Sequence, residues 1–130
     1  MMMRTANLVL TVFWVTLCHY AQASDLPIEE IKLPPGFKIE LLARVDNARE
    51  MALGAKGTLF VGSMQAGKVY AVQLKSTGPP AVTVIASGLN MPVGVAFHRG
   101  ALYVSAVDRI LRFDNIEDHI TDPPKPVVVD

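Results

Sequence analysis

The sequence predicts an all-β fold: a β-propeller, of which the chain supplies about two four-stranded blades behind a signal peptide. Three observations point there. From Pro34 onward, short apolar runs are punctuated by Gly and Pro, with no helical periodicity longer than one turn. The runs recur with a period near 43 residues. Each period holds four of them, which is the sequence signature of a propeller blade. The competing reading is a small β-sandwich whose self-similarity is accidental.

The first 23 residues stand apart from this pattern. Arg4 precedes an apolar run from Leu8 to Leu17, and a short polar stretch then ends in Ala21-Gln22-Ala23. A basic start, an apolar centre of about ten residues and an A-x-A site make a secretory signal peptide. The run is about half the roughly 20 residues that a spanning helix needs. Cleavage after Ala23 leaves residues 24–130, with 11 basic and 12 acidic side chains. That balance offers no basic patch, so neither nucleic acid nor an anionic membrane surface is favoured as a partner. The only Cys, Cys18, leaves with the signal, and with it any disulfide, thiolate nucleophile or Cys-ligated metal.

The elements follow in order. Residues 37–43 alternate, with Phe37, Ile39 and Leu41 on one side and Lys38 and Glu40 on the other, which is the pattern of a half-exposed strand. The first blade spans 47–86. Its runs are Met51-Ala52-Leu53, Leu59-Phe60-Val61, Val69-Tyr70-Ala71-Val72 and Val82-Thr83-Val84-Ile85. They are apolar on both faces, as in sheets covered on both sides. Gly54-Ala55-Lys56-Gly57 and Gly78-Pro79-Pro80 are the turns between them.

The second blade spans 90–130 and repeats the first. Asn90 matches Asn47, Val95-Ala96-Phe97 matches Met51-Ala52-Leu53, and Leu102-Tyr103-Val104 matches Leu59-Phe60-Val61. Arg109-Ile110-Leu111-Arg112-Phe113 matches Lys68-Val69-Tyr70-Ala71-Val72. Length differences fall in the turns, as expected if the strands are the fixed unit. Residues 37–43 occupy the same place in the cycle as residues 81–86, so they are expected to be the outer strand of a ring-closing blade. A ring needs at least four blades. Two blades alone leave apolar faces and open edges in water. The chain is therefore expected to be the N-terminal part of a longer protein, and to self-associate when isolated.

Several of these segments resemble the start of the pyrroloquinoline-quinone (PQQ) sugar dehydrogenases, in particular the L-sorbosone dehydrogenase-like branch. They are Leu33-Pro34-Pro35-Gly36-Phe37-Lys38-Ile39-Glu40, Asn47-Ala48-Arg49-Glu50-Met51-Ala52-Leu53-Gly54 and Gly57-Thr58-Leu59-Phe60-Val61-Gly62. Gly88-Leu89-Asn90-Met91-Pro92-Val93-Gly94-Val95-Ala96-Phe97, the segment from Arg109 to Glu117, and Pro123-Pro124-Lys125-Pro126 are similar to the same branch. The resemblance covers essentially residues 33–130, and it is the order and spacing of the pieces that carry it.

The resemblance implies a six-bladed propeller in the periplasm or secreted, in which PQQ and calcium oxidise a sugar or aldehyde substrate. A histidine acts there as general base while the cofactor takes the hydride. That histidine belongs to a later blade, so this chain alone is expected to be inactive and holds no catalytic residue. His98, in the turn His98-Arg99-Gly100, and His119, in an acidic loop, read as surface residues. Where soluble glucose dehydrogenase relatives carry a cofactor-contacting glutamine, this sequence has Leu89.

The loops leading into the inner strand of each blade, with the connections between second and third strands, form the ligand rim of such a ring. Arg49 is the first cofactor-binding candidate, because its planar fork suits a carboxylate or a sugar hydroxyl. The alternative is that it pairs with Glu50 or Asp46. Asn90 and Gln65 are the other cofactor-binding candidates, with Asp108 at the position corresponding to Gln65. Asn47 and Asn90 also suit an architectural Asx turn. The run Asp114, Glu117, Asp118 and Asp122 lacks the alternation of a calcium loop and reads as a solvated outer loop, so no metal site is expected. Two other functions fit the same fold: a non-catalytic binding module, and a gluconolactonase-like hydrolase with a rim metal.

Overall fold

The computed structural model describes residues 26–130, and the segment 1–23, read above as a signal peptide, lies outside the described residues. The chain divides into two units, Met1–Ile39 and Glu40–Asp130. In the first, a 3-10 turn (Ile28–Glu30) is followed by a turn in which the Phe37 N–H donates to the Pro34 carbonyl at 3.2 Å. Among the described residues no helix is long and apolar enough to cross a membrane.

The second unit is all-β. Strands β1 (Ala48–Leu53), β2 (Thr58–Ser63), β3 (Val69–Gln73) and β4 (Ala81–Ala86) form one four-stranded antiparallel sheet. Strands β5 (Gly94–His98), β6 (Ala101–Ser105), β7 (Ile110–Phe113) and β8 (Val127–Val128) form another. Each sheet is a meander in which consecutive strands are neighbours, and no strand crosses from one sheet to the other. The four strands expected of each blade therefore form, in the expected order.

Residues 37–43 do not. They join no ladder among the described residues, and the boundary between the two units falls within them. Alternation makes a segment compatible with a strand, but a strand exists only where a neighbour takes up its N–H and C=O groups.

Glycine sets the turns. Arg99 (φ 49°) and Gly100 (φ 82°) are both left-handed between the paired residues His98 and Ala101. That is a two-residue type I′ hairpin, whose twist matches its strands. In the first sheet the same corner is one residue longer and closes with the Gly54 N–H donating to the Thr58 carbonyl at 2.8 Å.

Register assigns the faces. Ala52, Phe60 and Ala71 share one face of the first sheet. On the second sheet Val95, Val104 and Leu111 share a face, as do Phe97, Leu102 and Phe113. These two faces pack together around Phe60, Leu102, Val104 and Phe113, each essentially inaccessible. Phe60 and Phe97 stack across the junction with ring centres 5.8 Å apart and planes 10° from parallel. Ile116 and Ile120, from the connection between β7 and β8, complete this core.

The opposite face of the first sheet is also apolar: Met51, Val61, Tyr70 and Val84 in one row, and Leu53, Leu59, Val72 and Val82 in the next. Ala43 and Val45 cover part of it, over Val61, Tyr70 and Val72. Met51 and Leu53 stay 60% and 68% exposed. Sequence patterning predicts sheets covered on both sides, whereas here the first sheet is fully covered on one.

Candidate functional site

The loops expected to form a rim do lie together, and main-chain hydrogen bonds hold them. In the first sheet the Met64 N–H, in the connection from β2 to β3, donates to the Asn47 carbonyl at 3.3 Å. In the second, Val107 donates to Asn90 at 2.9 Å, at the same place in the repeat. Two further bonds join the sheets at this end: Ser63 N–H to the Pro92 carbonyl at 3.0 Å, and Leu89 N–H to the Gly67 carbonyl at 3.0 Å. Gln65 and Asn90 therefore sit on connected loops, and both are exposed.

Asn47 and Asn90 each present a main-chain carbonyl to the following connection. Asn47 itself is left-handed (φ 51°), a conformation that asparagine tolerates better than most side chains. In the second sheet the left-handed residue is Met91 (φ 47°), one position further on.

Arg49 stands on a β-bulge. Ala48 pairs with Ser63 and Met51 with Val61, so β1 carries one residue more than β2 across this step. A bulge kinks the strand and redirects its side chains. Arg49 and Glu50 occupy it, the only charged residues of β1. The Arg49 Nη2 lies 3.6 Å from the Met64 sulfur, a weak contact at an exposed position. The alternative pairing with Glu50 or Asp46 does not form: Asp46 instead approaches Lys68, at 3.7 Å.

Glu50 turns toward the second sheet. Its Oε2 lies 3.4 Å from where a side chain on Gly94 would begin, and the Ser105 Oγ lies 3.9 Å from the same point. An open cleft of about 360 Å³ is lined there by Glu50, Gly94, Tyr103, Ser105 and Ile110, among others. Sequence reasoning did not propose Glu50 as a site residue, since a bulge with no glycine leaves no mark in the pattern.

Other candidates are occupied elsewhere. Asp108 pairs with Arg109, with Nε at 2.9 Å, and this neighbour holds its carboxyl below the usual range. Leu89 packs against the core. His98 and His119 are exposed, and the His119 Nδ1 lies 3.0 Å from the Asn115 carbonyl. The acidic loop departs from expectation. Glu117 accepts hydrogen bonds from the Lys56 N–H at 3.0 Å and the Thr58 N–H at 3.3 Å, and Asp118 pairs with the Lys56 ammonium. What reads as a solvated outer loop is in part a clasp on the first hairpin. Among the described residues no three His, Cys, Asp or Glu side chains lie close enough to hold a metal ion.

The residues present fit an anionic ligand in one respect, through the exposed Arg49 fork. They do not supply calcium with clustered carboxylates, since among the described residues no three acidic side chains converge.

No family model matches the chain. It is similar to an uncharacterized protein of Borreliella burgdorferi, 27% identical over 116 residues, which is 88% of this chain. The chain spans about 29% of that protein's length.

Proposed function

We propose that residues 47–86 and 90–130 are neighbouring blades of a β-propeller. The ring they belong to is an exported PQQ-dependent sugar or aldehyde dehydrogenase, of the kind the L-sorbosone dehydrogenase-like segments resemble. The observation that carries the blade reading is the inequivalence of the packed faces. The face of the second sheet that is buried (Val95, Leu102, Val104, Leu111) corresponds in the repeat to the outer face of the first sheet (Met51, Leu59, Val61, Tyr70). The sheets thus pack head to tail, front against back, as successive blades do. A two-fold sandwich would bring equivalent faces together.

In this reading the rim of Arg49, Gln65 and Asn90 contributes to ligand binding, and Arg49 pairs with a carboxylate of the cofactor or a hydroxyl of the substrate. The cofactor supplies the redox chemistry when bound. No general base is assigned to this chain, so alone it binds without turning over. A calcium ligand set is not assigned to it either.

The test is binding of PQQ to the purified chain by calorimetry, with and without calcium, for the unaltered chain and Arg49→Ala. Saturable binding lost on Arg49→Ala supports the reading. Binding that Arg49→Ala leaves unchanged, or no binding, removes Arg49 from the cofactor site and favours the non-catalytic binding module. Dye-linked oxidation of an aldose by the chain alone would overturn the assignment of the base elsewhere.

A further inference from the structure

We infer that residues 42–45 are a displaceable strap, which covers the outer face of the first sheet and lifts from it while the sheet stays folded. Little holds the strap in place. Among the described residues, Leu42, Ala43 and Val45 exchange no main-chain hydrogen bond. Its grip on the sheet is therefore made by side chains. Those that pack on Val61, Tyr70 and Val72 are Ala43 and Val45, both small and both only half-buried. Segments with few buried apolar contacts and a solvated main chain are the ones that open locally.

Closure also carries two costs. Tyr70 is 4% exposed beneath the strap, and its hydroxyl is buried without a hydrogen-bond partner. Such a hydroxyl is better off in water, where lifting the strap returns it. In addition, a cavity of about 140 Å³ remains between strap and sheet, lined by apolar side chains that include Leu42, Val45, Met51 and Val72. Atoms around a void forgo the contacts that a filled core provides.

The repeat gives the strap its role. Met51, Leu59, Val61 and Tyr70 stand in the first sheet where Val95, Leu102, Val104 and Leu111 stand in the second. A whole sheet covers the second set, whereas the strap covers part of the first. In the ring proposed above, the neighbouring blade takes this face, so strap and blade compete for it. Closed, the strap is an autoinhibitory contact; open, it frees the face for the blade. The opening rests on the strap's own contacts, and only the identity of its competitor rests on the blade reading. Failure of PQQ binding therefore leaves the opening standing.

The test is thiol labelling of the intact chain in a Cys18→Ser background, which removes its only cysteine. Val72→Cys places a thiol under the strap, at a residue 2% exposed, and Val104→Cys places one in the core between the sheets, at a residue 0% exposed. Val72→Cys is expected to label about a hundredfold or more faster than Val104→Cys. Its labelling should also depend only weakly on denaturant, because a local opening exposes little surface. Adding Tyr70→Phe removes the stranded hydroxyl and is expected to slow labelling at Val72→Cys about tenfold. Adding Val45→Asp drives the strap off and is expected to speed labelling at Val72→Cys about tenfold or more, with Val104→Cys still slow. Equal rates and equal denaturant dependence at the two thiols overturn the inference, because the strap then opens only with the whole fold. So does Tyr70→Phe leaving labelling unchanged or faster, or Val45→Asp speeding both thiols alike.

Discussion

The Glu117 carboxylate straddles the main-chain N–H of Lys56, with each oxygen 3.0 Å from the nitrogen. A residue in the last connection of the second sheet thereby holds the first hairpin of the first sheet. Charge-assisted bonds to main-chain donors are among the stronger ones a surface loop makes.

Glu117→Ala is expected to lower stability by about 1–2 kcal/mol. Gly54 lies beneath the same carboxylate, and a Cβ there would fall 2.3 Å from the Glu117 Oε1. Gly54→Ala is therefore expected to expel the carboxylate and lose the same bonds. Chemical denaturation of the two single variants and the double variant checks this. The two losses should overlap rather than add.

Gly62 is expected to tolerate no side chain. A Cβ would lie 2.3 Å from the Val93 carbonyl oxygen and 2.6 Å from that of Pro92, both main chain and unable to swing aside. Gly62→Ala should cost about 2 kcal/mol or more and lower the melting temperature. It should also perturb the Ser63-to-Pro92 hydrogen bond, which is readable as faster amide exchange at Ser63.

Phe60 and Ser63 test the core and the rim support in turn. Phe60→Ala removes the stack on Phe97 from a fully buried position and should cost about 3–5 kcal/mol. The buried Ser63 hydroxyl donates to the Lys68 carbonyl at 2.6 Å and accepts from the Lys68 N–H at 2.9 Å. Ser63→Ala strands both groups and should cost about 1–3 kcal/mol. Arg49→Ala, at an exposed position, should stay within about 0.5 kcal/mol of the unaltered chain. Thermal melts of the three order them.

The Lys56–Asp118 pair sets a pH window. Its hydrogen bond holds the Asp118 carboxyl below its ordinary 3.8 and the Lys56 ammonium above its ordinary 10.5. The carboxylate's contribution is present above its unfolded value and lost as pH falls through the lowered one. The ammonium's contribution is present below its unfolded value and lost as pH rises through the raised one. The contact should therefore persist unchanged across neutral pH. An NMR titration following the Lys56 side chain should show Asp118→Asn abolishing the acid-side transition.

The strands were legible because their apolar residues recur with the period of a strand and are separated by glycine. The hairpin at Arg99-Gly100 was legible for the same reason. The bulge at Arg49 and Glu50 was not. It arises from how β1 registers on β2, and neither residue has a conformational preference that announces it. Glu117 was misread because an acidic residue in a polar loop looks the same whether it faces water or a hairpin 60 residues away.

The sequence by itself determined that residues 47–130 are all-β, where the eight strands found there lie, and that the second sheet repeats the first. Side-chain alternation and turn chemistry act locally, so a local pattern suffices to specify them. Tertiary structure alone decided which face of each sheet is buried, and that the sheets meet front against back. It also decided that residues 37–43 join no ladder among the described residues, that Arg49 rests on Met64 rather than on a carboxylate, and that Tyr70 keeps a buried hydroxyl without a hydrogen-bond partner. Each of these depends on which surface reaches which. Where both faces of a sheet are apolar, composition is silent about the choice.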